Sequence, residues 1–184
     1  DQILNDTSIM NNHIVLAVDR AGIVPDDGET HQGLFDVSFL ASVPDMTVYS
    51  PCYYSELEND IKRAAKEDRF CAVRYPRGCE KQEPDLDFSG DFTVINGGKK
   101  AIVTYGRLFS DALEAKAVCK DISIVKLNKI YPLSRELTDR LKEFNEIHFF
   151  EEGIRSGGIA ELCAARLLEE GYGGIYKIHA VENR

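Results

Sequence analysis

The chain has 184 residues, 43% of them hydrophobic, and a formal net charge of −9. That content supports one large packed domain or two small ones, and with no apolar run of about 18 residues a helical membrane span is not expected. The acidic balance argues against a nucleic-acid partner, which would favour a basic face.

The chain starts at Asp1 without a signal-peptide pattern, and residues 1–11 read as a helix already under way, so a piece of a longer protein is expected. Residues 14–18 form a short apolar run that predicts a buried strand, and residues 46–49 a second. Residues 55–66 predict a helix with Ser55 as N-cap, Glu58 three positions on, and Ile61, Ala64 and Ala65 toward the core. Residues 71–75 predict a third strand, ended by Pro76. Residues 78–98 are polar, with Glu-Pro-Asp and Asn-Gly-Gly, and read as a linker carrying an edge strand at 92–95. Strands are then expected at 101–105, 122–127, 146–151 and 175–179, and helices at 110–119, 134–144 (capped by Ser134) and 156–170.

Alternating β and α elements with short apolar strands predict an α/β protein of two three-layer units, with mainly parallel sheets covered by helices. The expected division is 1–88 and 89–184. The first unit has only about three strands, few for a doubly wound domain, which again suggests a missing upstream part.

Cys52, Cys71, Cys79, Cys119 and Cys163 are odd in number and contain no Cys-x-x-Cys. Buried free thiols in a reducing cytoplasm are expected, and no metal site. Cys79 sits near basic residues, but nothing places a general base beside it. His13, His148 and His179 lack metal-ligand spacing and are assigned structural roles.

Three stretches are candidates for chemistry. The first, residues 19–33, follows the strand ending at Val18 and holds Arg20, Asp27 and His31 among glycines and a proline. Ligands of open α/β sheets bind beyond the carboxyl ends of strands, but the same composition suits a solvated loop. The second is Arg74-Tyr75-Pro76-Arg77-Gly78, directly after another strand. Parallel strands end on one side of a sheet, so Arg77 can meet the 19–33 loop there. Two arginines and a histidine would then suit a phosphate dianion; structural salt bridges for Arg74 and Arg77 are the alternative. The third, Glu151 to Gly158, is read as a tight strand-to-helix turn that needs glycine for packing rather than as an anion site.

Asp-Arg-Ala-Gly-Ile-Val followed by Asp-Gly-x-Thr-His-Gln-Gly, together with Arg-Tyr-Pro-Arg-Gly, resembles the pyrimidine-binding domain of the 1-deoxy-D-xylulose-5-phosphate synthases. The second unit, with its Glu-Glu and Gly-Gly turn, resembles the transketolase C-terminal domain. The resemblance implies the C-terminal part of a cytoplasmic homodimeric transferase, dependent on thiamine diphosphate and Mg2+. Such an enzyme condenses pyruvate with glyceraldehyde 3-phosphate, releasing CO2, toward isoprenoid precursors, thiamine and pyridoxal phosphate. By motif, Arg20 and Arg77 are implied as ligands of the acceptor's phosphate, and His31 and Asp27 as the polar pair near the reacting carbons. It also implies that the main cofactor-binding residues lie outside this chain, which alone is expected to be inactive. A transketolase or a 2-oxo-acid dehydrogenase beta-type subunit is the rival enzyme reading, and a non-catalytic dimerisation module the rival of another class.

Overall fold

The computed structural model describes residues 2–8, 12–25 and 28–182. A π-helical segment (Ile3–Ser8) precedes β1 (Val15–Val18), a short 3-10 turn (Glu29–His31), α1 (Asp36–Leu40), β2 (Thr47–Tyr49), α2 (Tyr54–Ala64) and β3 (Cys71–Arg74). Then come β4 (Phe92–Ile95), β5 (Lys100–Tyr105), α3 (Leu108–Val118), β6 (Ile122–Leu127) and β7 (Lys129–Tyr131). The chain continues with α4 (Arg135–Leu141), β8 (Glu146–Ile154), α5 (Ile159–Glu169) and β9 (Ile175–Val181).

These elements form two mixed, mostly parallel sheets covered by helices. In the first, the order is β1-β3-β2-β7, with β1, β3 and β2 parallel and β7 antiparallel to β2. In the second, the order is β4-β6-β5-β8-β9, parallel except for β4, the edge strand expected at 92–95. One apolar core joins the sheets: Val48 and Ala72 belong to the same cluster as Val103, Val125, Ile147 and Phe149. Burying a side chain such as Phe149 fully contributes roughly 1.5–3 kcal/mol.

Local signals explain most of the boundaries. Ser134 caps α4 by accepting from Leu137 N at 3.2 Å, which leaves one fewer unsatisfied helix N–H. At α2 the helix and the buried Ala64 are as expected, but the cap and the rest of the inward face are not. Its N-cap is Tyr53 rather than Ser55, and Glu56 accepts from the amides of Cys52 (2.9 Å) and Tyr53 (3.1 Å). Ile61 is 45% exposed and Ala65 is exposed as well, while Glu56, Asp60 and Ala64 are buried. The cause lies across the seam: Lys126, fully buried on β6, places its ammonium against Glu56 and 2.9 Å from Asn128 Oδ1. A buried ammonium needs a carboxylate, so α2 turns its acidic face inward.

β7 and α1 were not foreseen. β7 begins just after β6, a strand of the second sheet, yet pairs with β2 in the first, so the strands do not divide cleanly at the linker. The cysteines also differ in part from expectation: all are free, but Cys79 and Cys119 are exposed, while Cys52, Cys71 and Cys163 are buried. Cys119 ends up exposed because it is the C-cap of α3, past the helix's buried face.

Candidate functional site at the first sheet's edge

The β1–β3 register pairs Val18 with Arg74, and it brings the two candidate loops together. Tyr75 N donates to Val18 O at 3.0 Å, and Ala21 N to Tyr75 O at 3.0 Å. Arg20 and Arg77 therefore leave the same carboxyl edge of the sheet. The 19–33 loop is closed at its base by reciprocal bonds, Gly22 N to Gly33 O (2.9 Å) and Gly33 N to Gly22 O (3.0 Å). A Cβ at Gly33 would lie 2.2 Å from Arg20 O, so only glycine permits this closure. Inside the loop, the Gln32 amide bridges Val24 and Gly28: its Oε1 accepts from Val24 N, and its Nε2 donates to Val24 O and Gly28 O at 2.6, 3.0 and 2.7 Å respectively.

Arg20 has φ 60°. A non-glycine residue in that region is strained, and such strain clusters at functional sites. Its Nη1 lies 3.0 Å from Asp19 Oδ2, and its side chain is 39% exposed. His31 is exposed on the short 3-10 turn, with Nδ1 2.7 Å from Thr30 Oγ1. Asp27 lies outside the described residues. Arg77 is exposed and lines a cavity of about 550 Å³ at the seam between the sheets, with Asp19, Tyr53, Tyr75, Arg107 and Ser110 also on its walls. Arg20 and His31 are not part of that wall.

Arg74 has the structural role weighed for it. Its side chain is fully buried and donates to Asp36 Oδ2 (2.7 Å), Ser50 Oγ (3.3 Å), Gly33 O (3.3 Å), and Glu152 Oε2 (3.3 Å) and O (3.2 Å). It ties the base of the loop to the second unit.

Two residues of this seam escaped the sequence reading as site elements. Glu152 is buried, and burial pushes its carboxyl up to about 7, against the pull of Arg74 and Arg107. Arg107 Nε lies 3.3 Å from Glu152 Oε1, an ion-pair distance without hydrogen-bond alignment. Arg107 follows the end of β5, so the rule that picked out the loops after β1 and β3 also pointed to it. Glu151 behaves as expected of a packing turn: it accepts from Tyr105 and, at 2.7 Å, from Ala160 N, filling the α5 N-terminus with the chain's own carboxylate. The other histidines also have partners within the fold: His13 Nε2 is 3.2 Å from Ala64 O, and His148 Nδ1 is 3.0 Å from His179 Nε2.

Residues 1–80, which carry β1, β2 and β3 and the loops between them, match the model of the transketolase pyrimidine-binding domain. Over 99% of its length the chain is 35% identical to a 1-deoxy-D-xylulose-5-phosphate synthase of Aliarcobacter butzleri, and over 94% it is 37% identical to one of Clostridium perfringens. The chain thus matches the 1-deoxy-D-xylulose-5-phosphate synthases of the transketolase family along nearly its whole length, and it spans about 30% of the length of these relatives. Among solved structures, a split-gene transketolase described as an inactive beta4 tetramer superposes with a TM-score of 0.83 at 25% identity, covering 99% of this chain and 62% of that one. The transketolase of Campylobacter jejuni shares the fold, with a TM-score of 0.69 at 17% identity, covering 96% of this chain and 28% of that one.

Proposed function

We propose that this chain is a portion of a 1-deoxy-D-xylulose-5-phosphate synthase, and that the β1–β3 edge binds the phosphate of its aldehyde acceptor, glyceraldehyde 3-phosphate. The single observation that carries this reading is the strand register, which sends Arg20 and Arg77 off the same sheet edge. Guanidinium groups pair bidentately with phosphate oxygens. His31 and Asp27 would hydrogen-bond the acceptor's carbonyl and hydroxyl oxygens and assist proton movement there. The domain division at 88/89, a homodimeric assembly and a cytoplasmic location belong to the same proposal; no helix among the described residues is long and apolar enough to cross a membrane.

Thiamine diphosphate supplies the carbanion chemistry in this family when it is bound. Among the described residues no group of three or more His, Cys, Asp or Glu converges as a metal site. The guanidinium groups of Arg20 and Arg77 at the β1–β3 edge suit a substrate phosphate.

Steady-state kinetics in the assembled enzyme, with each substrate varied in turn, test the reading. Charge-assisted hydrogen bonds contribute roughly 1.5–3 kcal/mol each, so Arg77→Ala should raise the acceptor KM about 10- to 100-fold. The pyruvate KM should move much less, and Arg77→Lys should not fully rescue, because lysine lacks the planar fork. Equal losses for both substrates would mean that Arg77 serves folding. A second reading, a non-catalytic chain that assembles with itself, is favoured by the likeness to the inactive tetrameric transketolase chain. Turnover by the chain in the presence of the rest of a synthase separates the two.

A further inference from the structure

The base of the 19–33 loop is held from several sides. Gly33 O accepts from Arg74, and Leu34 O accepts from Ile154 N at 3.0 Å. The tip beyond the Gly22–Gly33 closure is different, because the Gln32 bonds tie it only to itself. Arg107 reaches this tip from the second unit, its Nη2 donating to Ile23 O. The same guanidinium lies 3.3 Å from the buried carboxylate of Glu152. That carboxylate is enclosed by glycines on both sides of the seam. A Cβ at Gly22 would come within 2.6 Å of it, and one at Gly106 within 2.3 Å. The loop and the second sheet thus close on one buried anion, and Arg107 bridges that anion to the loop tip. Its side chain is 34% exposed and shares the cavity wall with Arg77.

We infer that Arg107 is a positioning residue for the anion site: from the second unit it holds the tip of the loop, which carries His31, and so sets the placement of His31 relative to Arg20 at the loop's base and to Arg77. The inference rests on the reading of the β1–β3 edge as a phosphate site. It explains why the second sheet matters to a site built on the first. It also separates two roles for arginine at this seam. Arg74 holds the fold together, whereas loss of Arg107 would loosen the loop tip at Ile23 and leave the core bonds in place.

The test uses the full chain, with hydrogen exchange by NMR and inorganic phosphate as the probe. In Arg107→Ala the Val24 amide, which bonds Gln32 within the tip, should exchange about 10-fold faster, because tip opening no longer breaks the tether. Core amides such as those of Val103 and Val125 should keep their rates. Phosphate affinity should fall about 5- to 10-fold. Arg107→Lys should recover part of both effects, since an ammonium can satisfy Glu152 or the Ile23 carbonyl but spans both poorly. Arg107→Met keeps the apolar stem and guards against an alanine variant that fails to fold; it should behave as alanine does. Val24 exchange within about twofold of the unaltered chain in both Arg107→Ala and Arg107→Met overturns the inference, on the same local-opening logic. Phosphate that fails to saturate even the unaltered chain overturns the phosphate reading instead, and faster Val24 exchange in the variants would then still support the tether.

Discussion

Replacing Arg74 with methionine removes the one guanidinium that joins Asp36, Ser50 and Gly33 of the first unit to Glu152 of the second. Methionine fills much of the same space, so the loss is chiefly of charge and hydrogen bonds. It strands Glu152, 4% exposed, and Asp36, 14% exposed, beside an apolar side chain. Stranding one partner of a buried ion pair costs roughly 3–5 kcal/mol. The pH dependence has a definite sign. Burial already raises the Glu152 carboxyl to about 7, and Arg74 is the strongest group pulling it down. Without Arg74 it rises further. A carboxyl whose folded pKa exceeds its unfolded value contributes stability below the unfolded pKa and loses it as pH rises through the folded one. The variant's deficit should therefore be larger at about pH 8.5 than at about pH 5.5, where Glu152 carries its proton in both proteins. Urea denaturation followed by circular dichroism, extrapolated linearly at each pH, measures it. A deficit under about 1 kcal/mol at both pH values would refute the buried-knot account of Arg74.

Asp60 is buried, its Oδ2 has no hydrogen-bond partner, and burial raises its carboxyl to about 7. Asp60→Asn should accordingly stabilise the chain by about 1–3 kcal/mol at pH 8 and change little at pH 4, where the aspartic acid is already neutral; thermal denaturation showing a loss at pH 8 would contradict this. Limited proteolysis should cut first within residues 78–98, the polar stretch between β3 and β5, and primary cleavage within residues 101–127 would count against that division. Thiamine diphosphate with Mg2+ should bind the chain weakly in isothermal titration, and a low-micromolar dissociation constant would contradict the assignment of its main ligands outside these residues.

Much of the fold was legible because it is locally encoded. The apolar run at 122–127 marks β6 with its observed bounds, and Ser134 announces the start of α4. What was missed depends on distant partners. Glu56 looks like part of the solvated face of α2 until Lys126, far along the chain and itself hidden in an apolar run, draws it inward, and Asp60 is buried one turn further along the same face. β7 is three residues ending before a proline, too short for periodicity, and its partner β2 lies in the other unit. The candidate site followed the same pattern. The loops after β1 and β3 were recognisable from their position and residue types. The seam was not, because Arg74, Arg107 and Glu152 meet only once both sheets are folded.

The central claim is that the β1–β3 edge is a phosphate site built on Arg20 and Arg77. Its most direct test is a titration of glyceraldehyde 3-phosphate into the unaltered chain and into Arg77→Ala, followed by backbone amide shifts. The account predicts saturable shifts at Arg20, His31 and Arg77 in the unaltered chain, an affinity about 10-fold weaker in the variant, and no comparable response to pyruvate. Shifts spread evenly over the surface, or affinity unchanged by Arg77→Ala, would contradict it.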